Sequence, residues 1–272
     1  MITSPNNDKV KMVTKLMKSA KERRNASLYA VEGIRMTQEI PEEYLDTLFF
    51  TQDFYDKSIL NNDRLKKLVD RATVNGKCFL VSDSVIKHLC DTETPQGILA
   101  LVKMKKNEID DLFGDGSEPP LILIVERLQD PGNMGTIIRA AEGAGVTGIL
   151  VSFDSVDIYS PKVIRSTMGS VFRKNIVISR DIIGDIEKLK EKGVSVFGMH
   201  LNGSTMYETD LTGPVAFLIG NEGAGLSEEV SRSADKLIKI PMKGEVESLN
   251  AAFSAGLISY EAMRQRSSKE FS

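Results

Sequence analysis

The sequence predicts an α/β protein in which a mostly parallel β-sheet, with helices on both faces, follows a smaller α/β domain. Two observations carry this prediction. From residue 121 onward, short apolar runs alternate with helical stretches at the spacing of β/α units. Before them lies a stretch that is first charged and then rich in Gly, Ser and Pro, as linkers are. We therefore predict a first domain over residues 1–104, a linker over 105–120 and a second domain over 121–272.

Composition places the chain among globular proteins. Its 272 residues are 41% hydrophobic and 27% charged, which suits one large domain or two ordinary ones. No apolar run approaches the roughly 20 residues of a membrane helix, and the N-terminus lacks the apolar core of a signal peptide. We expect a cytoplasmic protein. The formal net charge of -3 argues mildly against a nucleic-acid partner, unless basic residues cluster on one face.

Residues 4–24 predict an amphipathic helix, with Ser4 as its cap and Pro5 in its first turn. Its apolar stripe comprises Val10, Val13, Met17 and Ala20. The polar face is strongly basic, and two interpretations stay open: a solvated lysine-rich face, or an element that contacts phosphates. Under the second interpretation, Lys15, Lys18, Arg23 and Arg24 would contact the phosphates of a nucleic acid.

Apolar runs bounded by turn residues predict the strands of both domains. Those of the first domain span residues 28–31, 47–50, 78–81 and 98–102. Those of the second span 121–125, 148–151, 176–178, 194–197, 215–219 and 237–240. The run 121–125 is apolar throughout, as a central parallel strand is when both of its faces are covered.

The chain has too few cysteine and histidine residues for a disulfide framework or a zinc cluster. Cys78 and Cys90 do not make a disulfide framework or a zinc cluster, and His88 and His200 lack ligand companions. We therefore expect no metal. His200 follows a strand-like run and is either a base or a structural residue. No Ser-His-Asp or Cys-His set stands out, so the polar inventory suits the positioning of a substrate better than hydrolysis.

The first motif follows the predicted strand 121–125. Pro131, Gly132 and Gly135 form a turn, and a helix is expected to start near Asn133 with that residue as its cap. Arg139 lies nearly two turns into this helix. It is either a functional residue or an ordinary surface arginine.

The second motif is GNEGAGLS, residues 220–227, between a predicted strand and a helix. It nearly matches the phosphate loop G-x-x-x-x-G-K-[ST]. However, Leu226 occupies the lysine position, and Glu222 places a carboxylate where a triphosphate would be repelled. Glu222 has three open interpretations: it orders the loop, lies near a cation, or caps the helix that starts at Ser227.

The third motif is IPMKGEVESLN, residues 240–250. Ser248 or Glu247 is expected to cap a helix that begins near Leu249, with Asn250 as a polar residue in its first turn. Small side chains along this helix would permit close approach of another helix or subunit. They are Ala251, Ala252, Ala255 and Gly256.

These three motifs, in this order, resemble the SpoU (TrmH) family of the SPOUT RNA methyltransferases. Asn133 and Arg139 match the first motif of that family, residues 218–226 the second and residues 240–250 the third. The N-terminal part is similar, more loosely, to the substrate-binding domain often fused to the family. That likeness rests on the basic start, the turn at residues 31–33 and the segment 94–97.

The resemblance implies a fold, a cofactor and a reaction. The C-terminal segment would thread a loop to make a deep trefoil knot, and the knot would hold S-adenosylmethionine in a bent form. The residues implied at the cofactor are Gly220, Ile240, Met242, Leu249, Leu218 and Asn221. The methyl group would pass to a ribose 2′-hydroxyl of RNA. The separate N-terminal domain favours rRNA over tRNA, and family members usually act as homodimers through the knotted domain.

The resemblance also implies roles for polar residues. Arg139 is proposed in the family as catalytic, but a guanidinium is effectively always protonated. Beside a role as the base, an equally good account has Arg139 clamp a phosphate or stabilise the developing alkoxide, with the proton lost to water or another group. Asn133, Glu222, Ser248 and Asn250 would orient Arg139, the ribose and the loops. Arg165 matches a stretch that faces RNA.

Two other functions remain as alternatives. One is a non-catalytic RNA-binding or ribosome-associated protein that retains the fold, which the intact polar residues of the three motifs disfavour. The other is a nucleotide-dependent hydrolase that uses residues 220–227, which Leu226 and Glu222 disfavour.

Overall fold

The computed structural model describes residues 1–245 and 248–270, and the chain forms two compact units. The first unit contains residues 1–105 and 157–172, and the second contains 106–156 and the chain from residue 173 onward. Both departures from the predicted boundaries are corrections. Residues 157–172 leave the second domain, and residues 106–120 belong to it.

The β-strands occur at all ten predicted positions, with ends shifted by a few residues at most of them. They are β1 (Leu28–Glu32), β2 (Leu45–Phe50), β3 (Cys78–Leu80), β4 (Ile98–Lys103), β5 (Leu121–Val125), β6 (Gly148–Ser152), β7 (Asn175–Ser179), β8 (Ser195–Thr205), β9 (Val215–Ile219) and β10 (Lys236–Lys239). The largest extension is at β8, which continues well beyond its predicted end.

Helices occupy most of the connections. The α-helices are α1 (Asp8–Lys18), α2 (Ala20–Ala26), α3 (Ile34–Gln38), α4 (Gln52–Phe54), α5 (Asp63–Val74), α6 (Asp83–Leu89), α7 (Pro131–Gly143), α8 (Pro161–Thr167), α9 (Ser170–Arg173), α10 (Ile182–Glu191), α11 (Glu228–Arg232) and α12 (Ala251–Glu270). Tyr55–Ile59 is a π-helix, and Ile109–Phe113 and Met206–Glu208 are 3-10 helices.

The first unit is built on a four-stranded sheet in the order β1-β4-β2-β3. β4 runs antiparallel to both β1 and β2, whereas β2 and β3 are parallel. The apolar side of α1 packs onto this sheet through Val10, Val13 and Leu16, all almost completely buried with Leu99 and Leu101. Val10 and Val13 of the predicted stripe are therefore in the core and Met17 packs against it, whereas Leu16 was not predicted and Ala20 lies in α2.

The caps of the first helices differ from the prediction. Asn7, not Ser4, caps α1, because its Oδ1 accepts a hydrogen bond from Lys9 N at 3.0 Å. Ser19 ends α1 and its hydroxyl caps α2. The single helix predicted over residues 4–24 is therefore two helices.

Arg23 is a correction to the predicted RNA contacts. It is 4% exposed, and its guanidinium donates to Asp157 Oδ2 and to the carbonyl oxygens of Leu16 and Met17. These acceptors occupy the guanidinium inside the first unit, so Arg23 stabilises that unit and cannot contact a phosphate.

The second unit is built on a six-stranded parallel sheet in the order β10-β8-β9-β5-β6-β7. This confirms the predicted α/β class and the parallel sheet. α10 and α11 bury Ile186 and Val230 against Ile122, Ile124 and Leu218 of the central strands. α7 and α12 pack against each other, and α12 also contacts β5 and β9.

The predicted linker is part of the second unit. Leu112, in the 3-10 helix, is completely buried, and its carbonyl oxygen accepts a hydrogen bond from Thr147 Oγ1 at 2.7 Å. Gly148 permits this contact, because a Cβ there would lie 2.5 Å from the Cα of Leu112. The segment 106–120 is therefore not a free linker, because the buried Leu112 holds it against the second unit despite the charged residues around it.

Two negative observations apply to residues 1–245 and 248–270. None of the helices there is long and apolar enough to cross a membrane. The same residues contain no group of three or more His, Cys, Asp or Glu side chains placed to hold a metal ion.

Candidate functional site

A cavity lies at the carboxyl ends of the strands in the second unit. Open parallel sheets bind ligands at this edge, outside the strand ends. The cavity, which we name the strand-end cavity, has a volume of about 410 Å³. Its lining comes from the ends of β8, β9 and β10 and the start of α12: Met199, His200, Leu201, Ile219, Gly220, Asn221, Glu222, Gly223, Ala224, Gly225, Leu226, Lys239, Ile240, Met242, Ser248, Leu249, Ala251 and Ser254.

The loop after β9 is closed on itself. Asn221 and Gly225 exchange backbone hydrogen bonds, and Asn221 Oδ1 accepts from Gly223 N and Ala224 N, both at 2.9 Å. A Cβ on Gly220 would lie 2.2 Å from the carbonyl carbon of Gly225, so the closed loop requires glycine there. Asn221 Nδ2 also donates to the carbonyl oxygen of Arg127, which ties the loop to the end of β5.

Glu222 joins this loop to the first motif. Its carboxylate accepts hydrogen bonds from Gln129 N at 3.1 Å, Asp130 N at 2.9 Å and Asn133 Nδ2 at 3.1 Å. Partial burial disfavours its charged form, but the hydrogen bonds outweigh burial and hold the pKa of the Glu222 carboxyl below its ordinary value. Of the three interpretations, the loop-ordering one fits, whereas α11 is capped by Ser227.

Asn133 and Asn250 connect the first motif to the third. Asp130 caps α7, with Oδ1 accepting from Asn133 N at 2.7 Å, so Asn133 is not the predicted cap. Its side chain instead bridges Glu222 and Asn250, whose Nδ2 donates to Asn133 Oδ1 at 2.9 Å. One chain of hydrogen bonds, Glu222–Asn133–Asn250, therefore crosses all three motifs.

The cap of α12 is also a correction. Asn250 Oδ1 accepts from Ala252 N at 2.9 Å and from Phe253 N at 3.2 Å, which is the cap geometry expected of Ser248. Glu247, the other predicted cap, lies outside the described residues. Ser248 is exposed and lines the strand-end cavity.

Several predicted residues lie elsewhere. Arg139 is exposed on α7, lines neither cavity described here, and makes no hydrogen bond or ion pair with a described residue. Leu218 is a correction, because it is completely buried among core side chains and does not line the strand-end cavity. In the first unit Lys15, Lys18 and Arg24 are exposed, and Arg165 is paired with Asp91 at 2.8 Å.

Sequence reasoning did not identify Glu126 as a residue that supports the site. Glu126 is 4% exposed, and its Oε2 accepts from Ser227 N at 2.8 Å, so it fixes the start of α11 to the end of β5. An acidic residue directly after a buried strand was the available signal. His200 lines the strand-end cavity from the extended end of β8, and its Nδ1 accepts from Asn202 N at 3.2 Å.

A second concavity lies between α7 and α12, and we name it the α7–α12 groove. Its volume is about 720 Å³. Phe253 and Tyr260 line it and remain 58% and 46% exposed. Its remaining lining consists of Asn133, Thr136, Ala140, Leu249, Asn250, Ala252, Gly256 and Leu257. Leu249 lines both concavities, so the groove adjoins the strand-end cavity.

Two family models match the two parts of the chain. Residues 120–260 match the model of the SpoU rRNA Methylase family, and residues 7–100 match the MRM3-like substrate binding domain. The first match covers the three motifs, and the second covers most of the first unit.

Similar proteins extend over nearly the whole chain. The 23S rRNA (guanosine(2553)-2′-O)-methyltransferase RlmP of Bacillus subtilis is 31% identical over 95% of this chain and 97% of its own length. The 23S rRNA (guanosine-2′-O-)-methyltransferase RlmB of Vibrio parahaemolyticus is 35% identical, covering 89% and 98%.

Solved structures agree with these relatives. The AdoMet-bound rRNA methyltransferase of Sinorhizobium meliloti has a TM-score of 0.83 and 29% identity, with coverage of 97% of both chains. The SpoU methyltransferase AviRb of Streptomyces viridochromogenes, in complex with AdoMet, has a TM-score of 0.81 and 28% identity, covering 96% of this chain and 100% of that one. The chain belongs to the SpoU rRNA methylase family.

Proposed function

We propose that the protein transfers a methyl group from S-adenosylmethionine to a ribose 2′-hydroxyl of ribosomal RNA. The observation that carries this proposal is the Glu222–Asn133–Asn250 chain, which joins the three motifs at the edge of the strand-end cavity. The relatives named as 23S rRNA 2′-O-methyltransferases, similar over nearly their whole length, support the substrate class.

The strand-end cavity suits the cofactor. Its volume is within the range of about 300–1,000 Å³ typical of small-molecule sites. Gly220, Gly223 and Gly225 allow backbone groups to approach a ligand closely, while Ile240 and Leu249 offer apolar contact. S-adenosylmethionine, when bound, supplies an electrophilic methyl group on a sulfonium.

Glu222 is better suited to positioning than to proton transfer. Its N–H donors stabilise the carboxylate and lower its pKa, which makes it a weak base. Through these donors it holds the loop after β9 against the start of α7. The hydrogen bonds from Asn133 to Glu222 and from Asn250 to Asn133 fix the start of α12, next to Ser248, relative to that loop.

Arg139 is proposed to act on the RNA and not on the cofactor. It is exposed and has no described partner, so its guanidinium is available to a phosphate or to a developing alkoxide. It lies outside the lining of the strand-end cavity of its own chain, so it is also available to the cavity of a second copy.

A second copy of the chain is the proposed occupant of the α7–α12 groove. The groove exposes Phe253 and Tyr260, whose large apolar surfaces favour burial at an interface. It adjoins the strand-end cavity at Leu249 and includes α7, the helix that carries Arg139. A homodimer formed there would bring Arg139 of one subunit toward the site of the other.

The first unit is proposed to bind the RNA. Lys15 and Lys18 are exposed on α1, and the matching family is a substrate-binding domain. Charge reversal of both lysines should lower rRNA affinity and flatten its dependence on salt, because fewer counterions are released. If the salt dependence of rRNA affinity were unchanged, the lysine-rich face of α1 would be a solvated surface and not an RNA contact. The cytoplasmic location remains a prediction from the sequence, and the trefoil knot remains a prediction from the family resemblance.

The decisive experiment has two parts. Mapping of 2′-O-methyl positions in total RNA from cells with and without the gene should reveal a site in rRNA that depends on the gene. Calorimetry should show binding of S-adenosylmethionine and none of ATP. A protein that binds rRNA but neither S-adenosylmethionine nor its demethylated product would be the non-catalytic alternative.

A further inference from the structure

An aromatic–arginine pair lies at the carboxyl ends of β6 and β7. Phe153 directly follows β6 and is 42% exposed, and Arg180 directly follows β7. The guanidinium carbon of Arg180 lies 4.4 Å from the centroid of the Phe153 ring. Phe153 N donates to the carbonyl oxygen of Ser179 at 2.7 Å, which holds the two strand ends together. Arg180 makes no hydrogen bond or ion pair with a described residue.

The pair lies at the same edge of the sheet as the strand-end cavity, on the other side of β5. In the sheet order β10-β8-β9-β5-β6-β7, the strand-end cavity lies at the ends of β10, β8 and β9, whereas the pair lies beyond β5. The loop after β5 is between them, and adjacent strands are about 4.8 Å apart. Gln129 joins the two sides, since its Nε2 donates to Asp154 O at 3.0 Å and its backbone N donates to Glu222 at 3.1 Å.

We propose that Phe153 and Arg180 form a stacking surface for an unpaired base of the RNA, next to the nucleotide that is methylated. Aromatic rings and guanidinium planes both stack on bases, and this contact is largely independent of sequence. The inference rests on the proposed function, because it takes RNA as the substrate. Under this proposal the RNA binds at the ends of β6 and β7, on the side of β5 away from the strand-end cavity.

A base fits the pair better than a phosphate does. Asp154 and Asp181 flank Phe153 and Arg180 in the sequence, and a phosphate placed there would be repelled by their carboxylates. Asp181 already caps α10, with Oδ1 accepting from Gly184 N at 3.0 Å. A neutral base avoids this repulsion while it uses the exposed ring and the guanidinium plane.

A tryptophan reporter tests the proposal directly, because the chain contains no tryptophan. Phe153→Trp should keep an aromatic ring at the surface, and its fluorescence should be quenched when unmodified 23S rRNA transcript binds. The matched control is Tyr207→Trp, at a position that is 57% exposed in the second unit and lines neither cavity. Binding of the transcript to Phe153→Trp without quenching would overturn the proposal.

Phe153→Ala supplies a second measurement. Loss of one stacked base should weaken rRNA binding by about 5- to 150-fold, whereas Tyr207→Ala should bind as the wild type does. Affinity for S-adenosylmethionine should be unchanged in both variants, which shows that the fold is intact. A pair that only stabilises the strand ends predicts a lower melting temperature for Phe153→Ala with unchanged rRNA affinity, and that result would overturn the proposal.

The outcome is separable from that of the proposed function. Failure of the wild type to methylate rRNA would remove the proposed function whatever the fluorescence shows. Methylation by the wild type, together with unquenched Phe153→Trp and unchanged binding by Phe153→Ala, would remove the stacking surface alone.

Discussion

The strand-end cavity and the α7–α12 groove share Leu249 but differ in what a single chain completes. At the cavity, Glu222 has its N–H donors, and Asn133 and Asn250 are hydrogen-bonded to each other. In the groove, Phe253 keeps 58% of its surface exposed. The difference teaches that the loops of the cavity are positioned by the folded chain itself, whereas the groove keeps apolar surface that the described part of the chain leaves exposed.

The largest expected effect comes from Arg139, on the groove side of this comparison. Arg139→Ala should lower methyl transfer to rRNA by about 100- to 1,000-fold, the loss typical of removing one donor to a developing oxyanion. Affinity for S-adenosylmethionine should stay unchanged, because Arg139 does not line the strand-end cavity. Transfer assays and calorimetry measure the two quantities, with Arg232→Ala as a control at an exposed ion pair of α11.

Mixing two inactive variants tests whether Arg139 acts across a dimer. If it does, reassociated Arg139→Ala and Glu222→Ala subunits should regain about a quarter of wild-type activity, because half of the dimers are mixed and each has one intact site. Two copies that work independently would give no recovery, and full activity in Arg139→Ala alone would remove this residue from the mechanism.

A smaller loss of methyl-transfer activity is expected from a change at Glu222, which lies at the strand-end cavity. Glu222→Ala leaves the N–H groups of Gln129 and Asp130 without their acceptor and releases the loop after β9 from α7. A displacement of about 1 Å at a reacting centre can cost on the order of 100-fold in rate. We expect weaker binding of S-adenosylmethionine as well as slower transfer, unlike Arg139→Ala. Glu228→Ala, on the exposed side of α11, is the matched control and should retain both.

Strand positions were predictable because each strand is a compact apolar run bounded by turn residues. β5 and β9 are continuous apolar runs and lie at the centre of the second sheet, where both faces are buried. The order of the strands was not predictable, since it depends on contacts far apart in the chain. The same holds for residues 157–172, which lie between the strands of one unit in sequence and belong to the other unit.

Helix caps and basic residues show where local reasoning fails. Around each predicted start, several polar residues can act as caps, and the path of the chain selects Asn7, Asp130 and Asn250. The composition of a basic helix likewise does not reveal burial. Arg23 leaves the set of predicted RNA contacts because it is buried against Asp157, which lies 134 residues later, and no pattern within residues 4–24 contains that partner.

A charge placed in the groove should act mainly through assembly. Phe253→Asp puts a carboxylate into the groove, where the proposed dimer would bury it without a partner. Sedimentation should show a dimer dissociation constant raised by about 30-fold or more, the effect of a central aromatic contact. Tyr207→Asp, exposed outside the groove, should sediment like the wild type. A monomeric wild-type protein would leave the groove without its proposed occupant.

The smallest expected effect concerns the acid stability of the cavity side. The folded-state pKa of Glu222 is lowered, so its contribution to stability is fully present above the ordinary glutamate pKa of about 4.3 and is lost as pH falls through the lowered value. Glu222→Gln lacks this titration. Urea midpoints measured from pH 7 to pH 3 should therefore fall further for the wild type than for Glu222→Gln. Parallel decreases would mean that the titration of Glu222 contributes little to stability, and that the hydrogen bonds it accepts do not depend on its charge.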